Sequence, residues 1–114
     1  MSGRRIRMES KKLFFIYFVS LIMAVTQQHI DKAIELAKEF GATKILLFGS
    51  ALTDPENADD LDIGVAGIRG LEFFEYGGIL ESKINMPIDL VDLSINDGFV
   101  KHIEETGKYV YVSA

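Results

Sequence analysis

Residues 44–66, KILLFGSALTDPENADDLDIGVA, are two short β-forming runs held apart by a polar connection. Lys44 to Phe48 is an apolar run of strand length, broken by Gly49-Ser50. Residues 51–59 are polar and contain Pro55, so they read as a connecting loop. Leu61 to Ala66 forms the second strand, closed by Gly67 and Gly70. Side chains two apart on a strand share a face. Asp60 and Asp62 therefore point one way, while Leu61, Ile63 and Val65 point the other way, towards a core. Two carboxylates side by side repel unless a cation lies between them, so this pair asks for a reason.

Outward from this stretch the pattern alternates. Thr26 caps a helix from Gln27 to Phe40 stopped by Gly41, with Ile30, Ala33, Ile34, Ala37 and Phe40 on one apolar stripe. Residues 71–85 read as a helix that tolerates Gly77-Gly78 at a cost of roughly 1 kcal/mol per glycine. Phe73 and Phe74 are adjacent, so these two and Tyr76 cannot all face one stripe. Pro87 introduces a strand from Ile88 to Leu93, Ser94 or Asn96 starts a helix to Glu105, and Lys108 to Val112 is a closing strand carrying Tyr109 and Tyr111. The fold class is α/β (α+β), a small mixed sheet flanked by helices.

Composition narrows the chemistry. The chain has 114 residues, one domain's worth, with no cysteine, no tryptophan and two histidines far apart. Thiolate metal sites, disulfides and cysteine nucleophiles are excluded. His29, in the first turn of its helix, and His102 read as ordinary surface residues, so an active site must rest on carboxylates and hydroxyls.

Charge is unevenly divided. Residues 1–25 hold five basic and one acidic side chain, net +4, and residues 26–114 hold seven basic and sixteen acidic, net −9. An acidic domain repels a nucleic-acid backbone, so duplex nucleic acid is not an expected partner. The basic segment RRIRMESKK (4–12) followed by the apolar LFFIYFVSLIMAV (13–25) has signal-peptide proportions and is short for a membrane span. Domain patterning begins just after Met23. Residues 1–22 are therefore set aside as an extension, from an early gene start or a signal-like segment, and 23–114 as the domain. That domain is expected in the cytoplasm, with no membrane association.

On the strand after Pro87, Asp89 interrupts Ile88, Leu90 and Val91, and Asp92 falls on the opposite side, where it caps or meets solvent. If the two acid-bearing strands are neighbours, Asp60, Asp62 and Asp89 converge. Three carboxylates suit a hard cation such as Mg²⁺. Glycine and a hydroxyl at Gly49-Ser50 let backbone N–H groups approach a phosphate. A phosphate anchor beside a carboxylate metal site is equipment for phosphoryl or nucleotidyl transfer. A calcium loop starting at Asp54 fails, because Asp59 and Val65 stand where Gly and Glu are needed, and Asp59 reads as a solvated loop acid.

Gly49-Ser50, nine residues, Asp60-Leu61-Asp62, and Asp89 within IDLVDL resemble the nucleotidyltransferase superfamily typified by DNA polymerase β. In particular the pattern is similar to the minimal nucleotidyltransferases paired with HEPN toxins in toxin–antitoxin systems. The resemblance covers Thr26 to Val112. It implies that Asp60, Asp62 and Asp89 hold two Mg²⁺ ions, that Asp89 helps activate the acceptor, and that Gly49 and Ser50 bind the β- and γ-phosphates. It further implies transfer of AMP from ATP to an acceptor hydroxyl, such as a tyrosine of a helical HEPN partner, and leaves a homodimer open. One departure stands out: the basic Arg-x-Arg-Gly usual after Gly-Ser is replaced by Ala51-Leu52-Thr53-Asp54. Lys44, Arg69 or a partner's basic residue could supply the positive charge instead, or the metal ions alone could suffice. The alternative to an enzyme is a non-catalytic antitoxin of this fold that neutralises its partner by contact.

Overall fold

The computed structural model describes residues 4–8 and 24–114. Its centre is a five-stranded mixed sheet of order β1-β4-β3-β2-β5, with β1 Arg5–Met8, β2 Lys44–Leu47, β3 Leu61–Ala66, β4 Ile88–Asp92 and β5 Lys108–Val112. Its helices are α1 Gln27–Glu39, α2 Gly49–Thr53, α3 Leu71–Ile84 and α4 Gly98–Thr106. β3 and β4 run parallel, and every other pairing is antiparallel.

Alternation sorts the sheet into two faces. Ile45, Leu47, Leu61, Ile63, Val65, Ile88 and Leu90 belong to a core shared with Ala33, Leu36 and Ala37 of α1 and with Phe73, Tyr76 and Leu80 of α3. Leu46, Phe48 and Val91 form a second cluster with Val100 and Ile103 of α4. Tyr76 ties the two large helices together: its hydroxyl donates to the Ala33 carbonyl at 2.9 Å, and its ring meets Phe40 edge-on at 5.8 Å. A buried hydroxyl needs such a partner, since leaving it unpaired costs about 1–3 kcal/mol. Phe73 and Tyr76 are buried and Phe74 is half-exposed, as helical spacing requires.

Several local expectations change. The polar connection after Gly49 is not plain loop: it contains α2 and a 3-10 turn at Pro55–Asn57. The last helix starts at Gly98, not at Ser94 or Asn96, because Asp97 is its cap and accepts from the Val100 N–H at 2.9 Å. His29 is buried, not a surface group. Its Nδ1 accepts from the Thr26 N–H at 3.1 Å, while the Thr26 hydroxyl accepts from the His29 N–H, a reciprocal capping box. Burial lowers the His29 pKa, since the charged imidazolium would lose its water there. Of the two expectations for Asp92, capping holds and solvent exposure does not. It is buried, and its carboxylate caps the turn after β4 by accepting from the Ser94 N–H and hydroxyl at 2.9 and 2.6 Å.

At the N-terminus the sequence reading draws the domain boundary after residue 22. Arg5–Met8 pairs antiparallel with β4 as an edge strand of the sheet. Arg-Ile-Arg-Met alternates with period two, and β4 has an open edge to receive it. Residues 13–23 of the apolar run, the start at Met23 among them, lie outside the described residues, and Val25 at its end is buried in the core. No helix among the described residues is long and apolar enough to cross a membrane.

Candidate functional site

The parallel register of β3 and β4 pairs Asp62 directly with Asp89. Next to them, across the β1–β4 pairing, Arg7 is the partner of Asp89. Asp60 sits one residue ahead of β3, on the same side as Asp62 by alternation. The three acids thus lie at the starts of the two inner parallel strands, with Asp62 and Asp89 buried and Asp60 half-buried. The flanking odd positions supply the apolar side of β3 to the α1–α3 core, which holds the acids to the other face.

Gly49 closes the site from the end of β2. The Phe48 N–H donates to the Asp62 carbonyl at 3.1 Å, which brings the turn against the strand. Gly49 has φ +64°, and a Cβ placed there would stand 2.5 Å from Asp62 Oδ2. Only glycine lets the chain pass this close in that conformation. The Asp62 carboxylate accepts from the Ala51 N–H. Ser50, beside it, is exposed at the mouth of the turn.

Burial pushes the Asp62 pKa up to about 6, and the neighbouring Asp60 and Asp89 add to the rise; the Ala51 N–H and Arg7 oppose it. An Asp in the unfolded chain titrates near about 3.9. The folded protein therefore holds this proton more tightly, and the penalty on the fold builds as pH rises from about 4 to about 6 and is complete above that. On raising the pH from about 4 to about 6, the melting temperature of the metal-free protein is expected to fall relative to that of Asp62→Asn. Parallel pH slopes for the two proteins would remove Asp62 as the cause.

Two arginines that the sequence reading did not place in the site now enter it. Arg5 grips Asp89 with two bonds, Nε to Oδ1 at 3.2 Å and Nη2 to Oδ2 at 2.6 Å, and its guanidinium lies over the Phe99 ring. Arg7 pairs with Asp60. Asp89 in turn raises the Arg5 pKa further, despite the cost of partial burial. On the other face Arg4 lies 3.5 Å from Asp92 and stacks over Phe73. The one available signal was the charge division, a basic N-terminal segment ahead of an acidic domain, and it named no pair. Lys44 and Arg69, the in-chain candidates for positive charge, are both exposed, and Lys44 lies over Tyr109. Asp59 is exposed, as expected of a loop acid.

As they stand, no three His, Cys, Asp or Glu side chains among the described residues are gathered to hold a metal ion. The donor set nevertheless fits a hard divalent cation in kind. It offers oxygen ligands only, with two buried carboxylates in register, and Asp62 has its pKa raised first by burial and then by the neighbouring Asp60 and Asp89.

Comparison with known proteins agrees with this architecture. The protein family described as Polymerase beta, Nucleotidyltransferase matches residues 28–114. A chain of a toxin–antitoxin complex crystallised with AMP-PNP superposes with a TM-score of 0.63 at 26% identity, covering 73% of each chain. A chain of the tri-AMPylated Shewanella oneidensis HEPN toxin in complex with MNT antitoxin gives 0.61 at 26% identity, covering 76% of this chain and 72% of that one. The MntA–HepT toxin–antitoxin structure gives 0.61 at 24% identity, over 77% and 74%, a likeness of fold. Among curated proteins no sequence matches significantly. With most of its length matched, and with the acid-bearing strands and glycine turn in place, the chain belongs to the polymerase β-type nucleotidyltransferase family and is similar within it to the MNT antitoxins.

Proposed function

We propose that the domain is a Mg²⁺-dependent nucleotidyltransferase that moves AMP from ATP to an acceptor hydroxyl, with a tyrosine of a HEPN-type partner as the acceptor. The observation that carries the reading is the β3–β4 register, which sets Asp62 beside Asp89 with Asp60 adjacent and Gly49 packed on the Asp62 carboxylate. Family membership and the AMPylated toxin bound to a related antitoxin support the choice of reaction and partner.

In this reading Asp60, Asp62 and Asp89 hold the cations, and Gly49 and Ser50 receive the β- and γ-phosphates. Cations held by these acids would supply charge neutralisation of the triphosphate and Lewis-acid polarisation of its α-phosphate. Asp89 orients the acceptor hydroxyl and takes up its proton. The acceptor oxygen bonds to the α-phosphorus as the bond to the β-phosphate bridge breaks, and pyrophosphate leaves. The absence of basic residues at 51–54 favours a second reading, a contact-only antitoxin of the same fold.

Calorimetric titration of ATP separates the assembled site from an unassembled one without knowledge of the acceptor. Binding is expected in the presence of Mg²⁺ and is expected to vanish with EDTA. ATP binding of equal strength in EDTA would sink the carboxylate–metal reading.

A further inference from the structure

We propose that β1 is an intramolecular plug, in which Arg5 and Arg7 occupy the carboxylates of Asp89 and Asp60 and compete with divalent cations for them. The inference rests on the reading of these acids as the cation site.

The contacts are those of a stand-in cation. Arg5 takes both oxygens of Asp89, and Arg7 takes Oδ2 of Asp60, so two of the three acids have oxygens committed to guanidinium groups. A guanidinium carries a permanent charge and five donors, so it can neutralise carboxylates wherever it is held. It cannot share the same oxygen lone pairs with a metal ion. The two arginines can be displaced without opening the core, because their side chains are 45% and 46% exposed.

The strand itself has a grip that does not depend on the site. On the opposite face the Arg4 guanidinium stacks 4.6 Å over Phe73 and lies near Asp92, while the Asp92 N–H donates to the Arg4 carbonyl at 3.0 Å. β1 can therefore stay paired to β4 while Arg5 and Arg7 swing out. The site then has two states, guanidinium-filled and open, and the apparent metal affinity is reduced by the open fraction.

The test is a titration of the full chain with Mn²⁺, followed calorimetrically, for the parent, Arg5→Ala/Arg7→Ala and Asp60→Asn/Asp62→Asn. The arginine variant is expected to bind about tenfold more tightly, the combined worth of two half-exposed ion pairs. The asparagine variant is expected to lose binding. Arginine-variant binding that is unchanged or weaker, with binding lost in the asparagine variant, overturns the plug and leaves the cation site standing. Asparagine-variant binding equal to the parent's overturns the cation site itself. In the parent, the Arg5 Nε–H proton is expected to be protected from solvent exchange without metal and to lose that protection in Mg²⁺. Protection that survives saturating Mg²⁺ also overturns the plug.

Discussion

The Asp60→Asn/Asp62→Asn chain is expected to lose AMP transfer by at least about 10³-fold while remaining folded. Each substitution keeps the shape of the side chain and removes the anionic oxygen that a hard cation requires. The charge stabilisation that bound metal supplies to a phosphoryl centre is worth several kcal/mol, and about 4 kcal/mol corresponds to that factor. Stability is expected to move the opposite way. Asp62 is buried with its charge penalised by burial and by Asp60 and Asp89, so the neutral amide should hold or raise the melting temperature at neutral pH. Label carried from α-labelled ATP to a HEPN-type partner measures the transfer, and a thermal melt measures the fold. Transfer within about tenfold of the parent would defeat the proposed chemistry. Loss of transfer with full retention of protection against the partner in cells would instead establish the contact-only antitoxin.

Gly49→Ala is expected to cost about 10²-fold in the same reaction, although it adds a single methyl group. That methyl group would arrive 2.5 Å from Asp62 Oδ2, at a residue whose φ is +64°. The backbone conformation alone costs a non-glycine residue roughly 1–2 kcal/mol. The carboxylate must also move, and a displacement of about 1 Å at a reacting centre is enough for a hundredfold loss. Gly78→Ala is the matched control, since a Cβ at Gly78 in α3 meets nothing within 4 Å. That change should stabilise the protein by roughly 0.5–1 kcal/mol and leave transfer untouched. If Gly49→Ala transfers AMP as well as Gly78→Ala does, the close approach of the turn to Asp62 has no part in the reaction.

These particulars mark what could be read without coordinates. Asp60, Asp62 and Asp89 were legible because a strand has period two, which sets 60 and 62 on one side and makes an acid at 89 stand out among apolar neighbours. The β3–β4 adjacency that brings them together was a single assumption. α2 was missed because a five-residue helix is unstable alone and its local signals, a polar run and Pro55, spell a loop. At the last helix, Ser94, Asn96 and Asp97 can all cap, and only the packing of Val100 and Ile103 on Leu46 and Val91 selects Asp97. His29 was misread because its imidazole fills the acceptor role that a Glu or Gln usually takes in a capping box. Arg5 escaped because its partner, Asp89, is 84 residues away. No periodicity reports such a pair.

The strand order has one more consequence. The acids sit on β3 and β4, each flanked by strands on both sides, whereas the arginines that balance them sit on the rim. A pull on β1 from its N-terminal side would unzip that strand first, at the cost of one short antiparallel ladder and the contacts of Arg4, Ile6, Arg5 and Arg7, and would strip cationic charge from the cleft before the inner sheet yielded. Tension, or a chaperone that threads the chain from that end, would thus expose the negative cleft in a protein still otherwise intact.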